Sequence, residues 1–279
     1  MVWPGDTFWR LIIIVSLGIA GCRDLASIKR RLTTCGNEAT CKREFLMSSK
    51  PPVETNKPYK REIRSFVIRD GRITPGQIKA LEEYWPIYGF DLAGDPSPKS
   101  EPLDRNMPFL TEQPVVLEIG FGMGDSLFEM ATQSRSTNFI GIEVHRPGVG
   151  HLLGLVHQQS LENVRVFRAD SVEVLKFGLP DNILDKVQIF FPDPWHKKKH
   201  HKRRLITSAF VALIRAKLKP GGLLHIATDW EPYAEEIAEL MADATAFEKC
   251  AVPERVVTKY ERRGLRLGHI VTDMAYALR

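Results

Sequence analysis

Five apolar runs in this chain, VVLEIG, NFIGIEV, VRVFRAD, VQIFF and LLHIAT, bring an acid to their ends or just beyond: Glu118, Glu143, Asp170, Asp193 and Asp229. A carboxylate at such a place accepts hydrogen bonds from ribose hydroxyls or from an exocyclic amine. One such acid would read as ordinary surface; the series is the signal. The fourth sits in FFPDPWHKKKHHKRRL, Phe190 to Leu205, where Pro192 and Pro194 flank Asp193 and restrict its backbone. Trp195 follows, and every position from Lys197 to Arg204 is Lys, Arg or His. Clustered cations gain affinity for a nucleic-acid backbone by releasing its counterions. A plain solvated loop is the competing reading.

The elements that must position these acids follow from the pattern. Short apolar runs alternate with helix-like segments from Pro114 onward. That predicts an α/β fold with a mostly parallel sheet and helices on both faces, with ligands outside the carboxyl ends of the strands. Gly120, Gly122 and Gly124 follow the first run and allow a tight turn, close ligand approach and a helix N-terminus nearby. A dinucleotide fingerprint fails here, because its last glycine slot holds Asp125 counting from Gly120 and Leu127 counting from Gly122. A nicotinamide-dependent oxidoreductase is therefore disfavoured. Further upstream, Thr74 before Pro75 marks a helix start, and Ile78, Leu81, Tyr84 and Trp85 form its stripe, read as a lid or clasp. Asp95 to Arg105 reads as a loop, and no internal repeat is present.

The chain has 279 residues, 43% hydrophobic and 26% charged, enough for a sizeable core, and a formal charge of +5. Three of its four cysteines, Cys22, Cys35 and Cys41, precede the core and leave Cys250 alone there, which favours a reducing compartment. No Cys/His grouping has zinc-ligand spacing, so no metal is expected. Leu11 to Cys22 is apolar but too short to span a bilayer. Its end resembles a lipoprotein cleavage motif, yet we read Met47 as the start, with 1–46 an upstream extension or signal-like segment. Residues 47–105 then form a flexible arm and helix, and 106–279 the main domain.

Glu-x-Gly-x-Gly-x-Gly with an acid after the second strand resembles the class I S-adenosylmethionine-dependent methyltransferases, whose fold is Rossmann-like. More narrowly, LEIGFGMG, GIEVHRPGVG, FFPDPWHKKKHHKRR, ATDWEPYAE and TKYERRGLRLGH resemble the bacterial tRNA (guanine-N7)-methyltransferase family. The likeness runs from about Arg64 to the C-terminus. One departure is Thr272 in GHIVTDM, where the family pattern leads us to expect an aromatic.

The resemblance implies methyl transfer from S-adenosylmethionine to N7 of a guanine in the variable region of tRNA, in the cytoplasm, by a monomer or homodimer with no membrane partner. It implies that Glu118, Gly120, Gly122, Gly124, Glu143, Asp170 and Asp193 bind the cofactor. It makes Asp193 the catalytic residue, and it gives Lys197, Asp229, Thr258, Lys259, Tyr260 and Glu261 to the guanosine. Asp229 and Glu261 suit guanine N1–H and N2–H₂. Two choices stay open: Trp195 stacks on a base or caps the core, and Lys259 contacts substrate or pairs with Glu261. Rival readings are another methylated atom or RNA, and a non-catalytic RNA binder on the same fold.

Overall fold

The structure is a computed structural model and describes residues 63–67, 71–92 and 108–279. The segments expected at 1–46 and 47–61, most of the Asp95–Arg105 loop, and Cys22, Cys35 and Cys41 lie outside the described residues. Residues Glu62–Arg279 cluster as one compact unit. Its strands are β1 (Gly89–Phe90), β2 (Val115–Ile119), β3 (Asn138–Ile142), β4 (Val164–Phe167), β5 (Leu184–Phe190), β6 (Leu218–Thr228), β7 (Phe247–Lys249) and β8 (Thr272–Leu278). Its longer helices are α1 (Pro75–Glu83), α2 (Asp125–Gln133), α3 (Arg146–Gln158), α4 (Ser208–Lys217), α5 (Glu231–Asp243) and α6 (Lys259–Arg266).

The sheet order is β1-β4-β3-β2-β5-β6-β8-β7. All pairs from β1 to β6 are parallel, and only β8 runs the other way, pairing antiparallel with β6 on one side and β7 on the other. β3 is buried at every position, which explains why NFIGI reads as an unbroken apolar run. One core packs α1, α2 and α3 on one face through residues such as Leu127, Leu152 and Leu153. The other packs α4 and α5 through Phe210, Ile214 and Ile237. This is the mostly parallel sheet with helices on both faces that the alternation predicts, and the Rossmann-like fold that the resemblance implies. β2 lies between β3 and β5, where the strand order reverses, so the crevice falls at its carboxyl end.

The Thr74 start is realised in full. Thr74 and Gln77 form a reciprocal capping box, and Pro75 takes the first helical position. The stripe expected as one helix is instead two. α1 stops at Glu83, and a separate turn, Trp85–Tyr88, carries the buried Trp85 and Tyr88. Pro86 accounts for the break, since its ring is incompatible with an unbroken helix there. α1 packs against α3, where a Cβ on Gly150 would stand 2.6 Å from the Gln77 carbonyl oxygen. The clasp is thus part of the helical layer.

Candidate active site

The glycine loop after β2 is cut by three left-handed residues, Gly120, Gly122 and Gly124, at φ of 78°, 60° and 80°. A side chain at any of them would be strained. A Cβ on Gly120 or Gly122 would meet nothing within 4 Å, so these glycines border open space. Glu143, just past β3, holds the loop: its Oε2 accepts from Gly122 N at 2.8 Å, and its Oε1 accepts from Val144 N and His145 N. Gly148, in the first turn of α3, completes the cradle. A Cβ there would fall 1.9 Å from the Gly122 carbonyl oxygen.

This cradle opens into a cavity of about 220 Å³ lined by Gly120, Glu143, Ala169, Ser171 and Asp193. Asp170 stands between two of those lining residues and caps the turn at Ser171–Glu173 by accepting from Val172 N at 2.9 Å. Glu118 differs from the expected set. Its neighbours Leu117 and Ile119 turn to one sheet face, so it turns to the other, under α2. There it accepts from Gln188 Nε2 at 3.0 Å, and the same nitrogen reaches Met130 Sδ. Its side chain does not line the cavity. Burial raises its pKa to about 7, against the opposing pulls of Gln188 and Lys186.

Beyond β5 the chain makes the turn around Asp193. Phe191 and Trp195, on either side of it, both hold left-handed backbone, at φ of 53° and 49°. For bulky side chains that conformation costs on the order of 1–3 kcal/mol each and clusters at functional sites. The Asp193 carboxylate is exposed and makes no hydrogen bond or ion pair among the described residues. A second cavity, of about 620 Å³, adjoins the first at Glu143 and Asp193 and is lined also by Phe66, Trp195, His196 and Lys197. Trp195 is half-buried. Its indole N–H donates to the Ser65 carbonyl at 3.1 Å, and Arg203 lies over its ring. It is a cavity wall tied to the upstream segment and not a core cap.

The basic run divides in two. Lys198–Arg203 forms an outward 3₁₀ turn. Burial, and then the charges of Lys199, Arg203, Lys197 and Lys202, hold the His200 pKa down, so it adds little positive charge at neutral pH. Arg204 is a correction to the expected phosphate patch. It is 4% exposed, donates to the Pro194 carbonyl at 2.8 Å, pairs with Glu236 and lies over Tyr233. It fastens the Asp193 turn to α5.

On the far side, Tyr260 packs against Phe191 and hydrogen-bonds Asp229, which also bonds His269 at 3.0 Å. Lys259 pairs with Asp125 at 2.6 Å, not with Glu261. Thr258 and Glu261 form a reciprocal capping box at the start of α6. The T-x-x-E spacing carried that signal in the sequence. Arg255, His225 and Asp273 were missed there, and all three join this corner: Arg255 bonds Glu261 and Asp273, and His225 bonds Asp273. His225 lies within the LLHIAT run and Asp273 within GHIVTDM, but no spacing marks either as a partner of Arg255. Among the described residues no group of His, Cys, Asp and Glu could hold a metal ion, and no helix is long and apolar enough to cross a membrane.

A protein-family model described as a methyltransferase matches residues 112–274, more than half the chain. The tRNA (guanine-N(7)-)-methyltransferase of Alcanivorax borkumensis is 49% identical over 245 residues, 85% of this chain and 99% of that protein. The Aeromonas hydrophila enzyme of the same name is 52% identical over 226 residues, 78% of this chain and 93% of its own. The chain belongs to the tRNA (guanine-N(7)-)-methyltransferase family. Among solved structures, the 16S rRNA methyltransferase KamB is 16% identical with a TM-score of 0.49, covering 64% of this chain and 94% of that one. Membership of the tRNA (guanine-N(7)-)-methyltransferase family sets the nicotinamide reading aside.

Proposed function

We infer that the chain transfers the methyl group of S-adenosylmethionine to N7 of a guanine in tRNA, the variable-region guanine being the site that the family motifs favour. The observation that carries this reading is near-half identity along 99% of a relative bearing that name. The donor fits the residues present: a left-handed glycine cradle open on the ligand side, and carboxylates at Glu143 and Asp193 on one cavity wall. S-adenosylmethionine supplies an electrophilic methyl on a sulfonium, and transfer to N7 moves positive charge onto the purine with no proton lost.

The residues then divide the work. Gly120, Gly122 and Gly124 let the backbone approach the donor, and Glu143 and Asp170 supply acceptors for its nucleoside. Glu118 acts from beneath, by fixing the strand end that the loop leaves. Because N7 carries a lone pair and no proton, no general base is needed, and the rate rests on positioning and electrostatics. Asp193, exposed where the two cavities meet, faces the migrating positive charge with a fixed negative one. Asp229 and Tyr260 face the guanine edge, Lys259 and the Thr258–Glu261 turn support them, and Lys197 leads the cations that take phosphate.

The test incubates the full chain with unmodified tRNA and S-adenosylmethionine, followed by nucleoside analysis. Appearance of 7-methylguanosine is expected. A methylated product at any other atom, or none from folded protein that binds S-adenosylhomocysteine, would overturn the reading.

A further inference from the structure

The guanine-side corner contains an arginine to which no role in the reaction has been given. Arg255 is only 6% exposed in its side chain. It donates to both oxygens of Glu261, at 2.5 and 2.9 Å, and to both oxygens of Asp273, at 2.7 and 2.9 Å. Its guanidinium lies over Phe190 and Phe191, at the end of β5. Asp273 in turn bonds Nε2 of His225, a fully buried residue of β6. Arg255 therefore joins β5, β8 and the first turn of α6 through one planar group, the fork geometry that suits arginine and not lysine, and Asp273 carries the connection on to β6.

The consequence falls on Glu261. A carboxylate offers about four acceptor positions. Arg255 takes two of Glu261's, and the Thr258 N–H takes a third. A guanine edge would have to displace a buried guanidinium that Asp273 holds from the other side. Asp229 differs in its partners. His269 and Tyr260 are both exposed and can turn away from it.

We propose that Arg255 is a positioning residue that locks the Thr258–Glu261 turn to the sheet, with Glu261 as its anchor, leaving Asp229 and Tyr260 to read the guanine edge. This rests on the guanine-N7 reading above and specifies how that site recognises its base. Asp273 is the second anchor, and the buried His225 orients it. The solvent-facing residues of α6, Arg262, Arg263 and Arg266, are not needed for the lock.

The test compares tRNA transcripts carrying guanosine or inosine at the target position, since inosine lacks only the N2 amine. Wild-type protein should lose at least about tenfold in kcat/KM on inosine, because a polar group built to meet the amine is left unpaired. Asp229→Asn should abolish most of that penalty. Glu261→Gln, Arg255→Lys and Asp273→Asn should keep it, while raising KM for tRNA about tenfold with S-adenosylhomocysteine affinity unchanged. If Glu261→Gln fails to fold, as judged by loss of the thermal shift with S-adenosylhomocysteine, Asp273→Asn severs the same lock away from the base. The proposal is overturned if Glu261→Gln erases the inosine penalty, if wild type shows none, or if Arg255→Lys matches wild type on both transcripts. Absence of 7-methylguanosine from wild type on the guanosine transcript would instead sink the underlying reading, and the proposal with it.

Discussion

Asp193 and Glu118 are both strand-end acids, and their surroundings give them opposite chemistry. Asp193 is exposed, unbonded among the described residues, and bracketed by two strained aromatic residues. Because it supports no packing, Asp193→Ala should leave melting behaviour and S-adenosylhomocysteine binding intact while lowering kcat by about 10²–10³-fold, the usual cost of one electrostatic group at a reacting centre. Single-turnover methylation would show this, and near-normal turnover would remove the residue from the chemistry. Glu118 is 3% exposed, and burial raises its pKa to about 7 from an ordinary 4.5. A raised carboxyl binds more protons folded than unfolded, so its contribution to stability is full below about 4.5 and is lost as pH climbs through about 7. At about 1.4 kcal/mol per pH unit the loss comes to about 3–4 kcal/mol. Glu118→Gln keeps an acceptor for Gln188 and should flatten that decline, with a higher melting temperature than wild type at pH 8. A decline of unchanged slope would place the titration elsewhere.

Among the elements, α3 and the glycine loop form the tightest join. The last two glycines of GIEVHRPGVG have separate duties: Gly148 admits the loop carbonyl and Gly150 admits α1. Gly148→Ala would force the loop from its place, because the obstructing atom is backbone and cannot swing aside. The expected result is about 1–3 kcal/mol of destabilisation and at least tenfold weaker S-adenosylhomocysteine binding, measured by calorimetry. Unchanged affinity would show that the cradle is not where the donor binds. The turn after β5 depends similarly on Arg204, which ties the Pro194 carbonyl to Glu236. Glu236 is 44% exposed and stays solvated without Arg204, so the loss is mainly that of the hydrogen bond to the buried-side Pro194 carbonyl and of the packing on Tyr233, about 1–3 kcal/mol. Arg204→Met should therefore lower the denaturation midpoint much more than Lys199→Met does.

At the scale of the molecule, the cleft is acidic within and basic beside it. Four lysines, Lys197, Lys198, Lys199 and Lys202, stand exposed, and the first of them lines a cavity with Asp193 and Glu143. Carboxylates near phosphate would oppose binding unless a separate cationic surface supplied the affinity. Each phosphate contact contributes about 0.7–0.9 to the slope of log affinity against log salt. Replacing the four lysines with glutamine should reduce that slope for tRNA by at least about 1, with cofactor affinity unchanged. An unaltered slope would mean that the run is only solvated surface.

The sequence by itself determined the periodic and local features. Alternating apolar runs specify a parallel sheet, because strands buried on both faces must be apolar throughout. Glycines at every second position specify the loop, and Thr74-Pro75 specifies a helix start, since these rest on backbone geometry within a few residues. It also placed Glu143, Asp170, Asp193 and Asp229 at strand ends, where this topology gathers them. Tertiary structure decided what each side chain touches. Strand alternation put Glu118 under α2, and burial made Arg204 a fastening of the turn. Glu261 went to Arg255, while Lys259 went to Asp125. Most of these outcomes depend on partners far apart in the chain, 70 residues for Glu118 and Gln188 and 48 for the His225–Asp273 bond behind Arg255. No spacing rule reaches that far; only the order in which the strands pair brings such groups together.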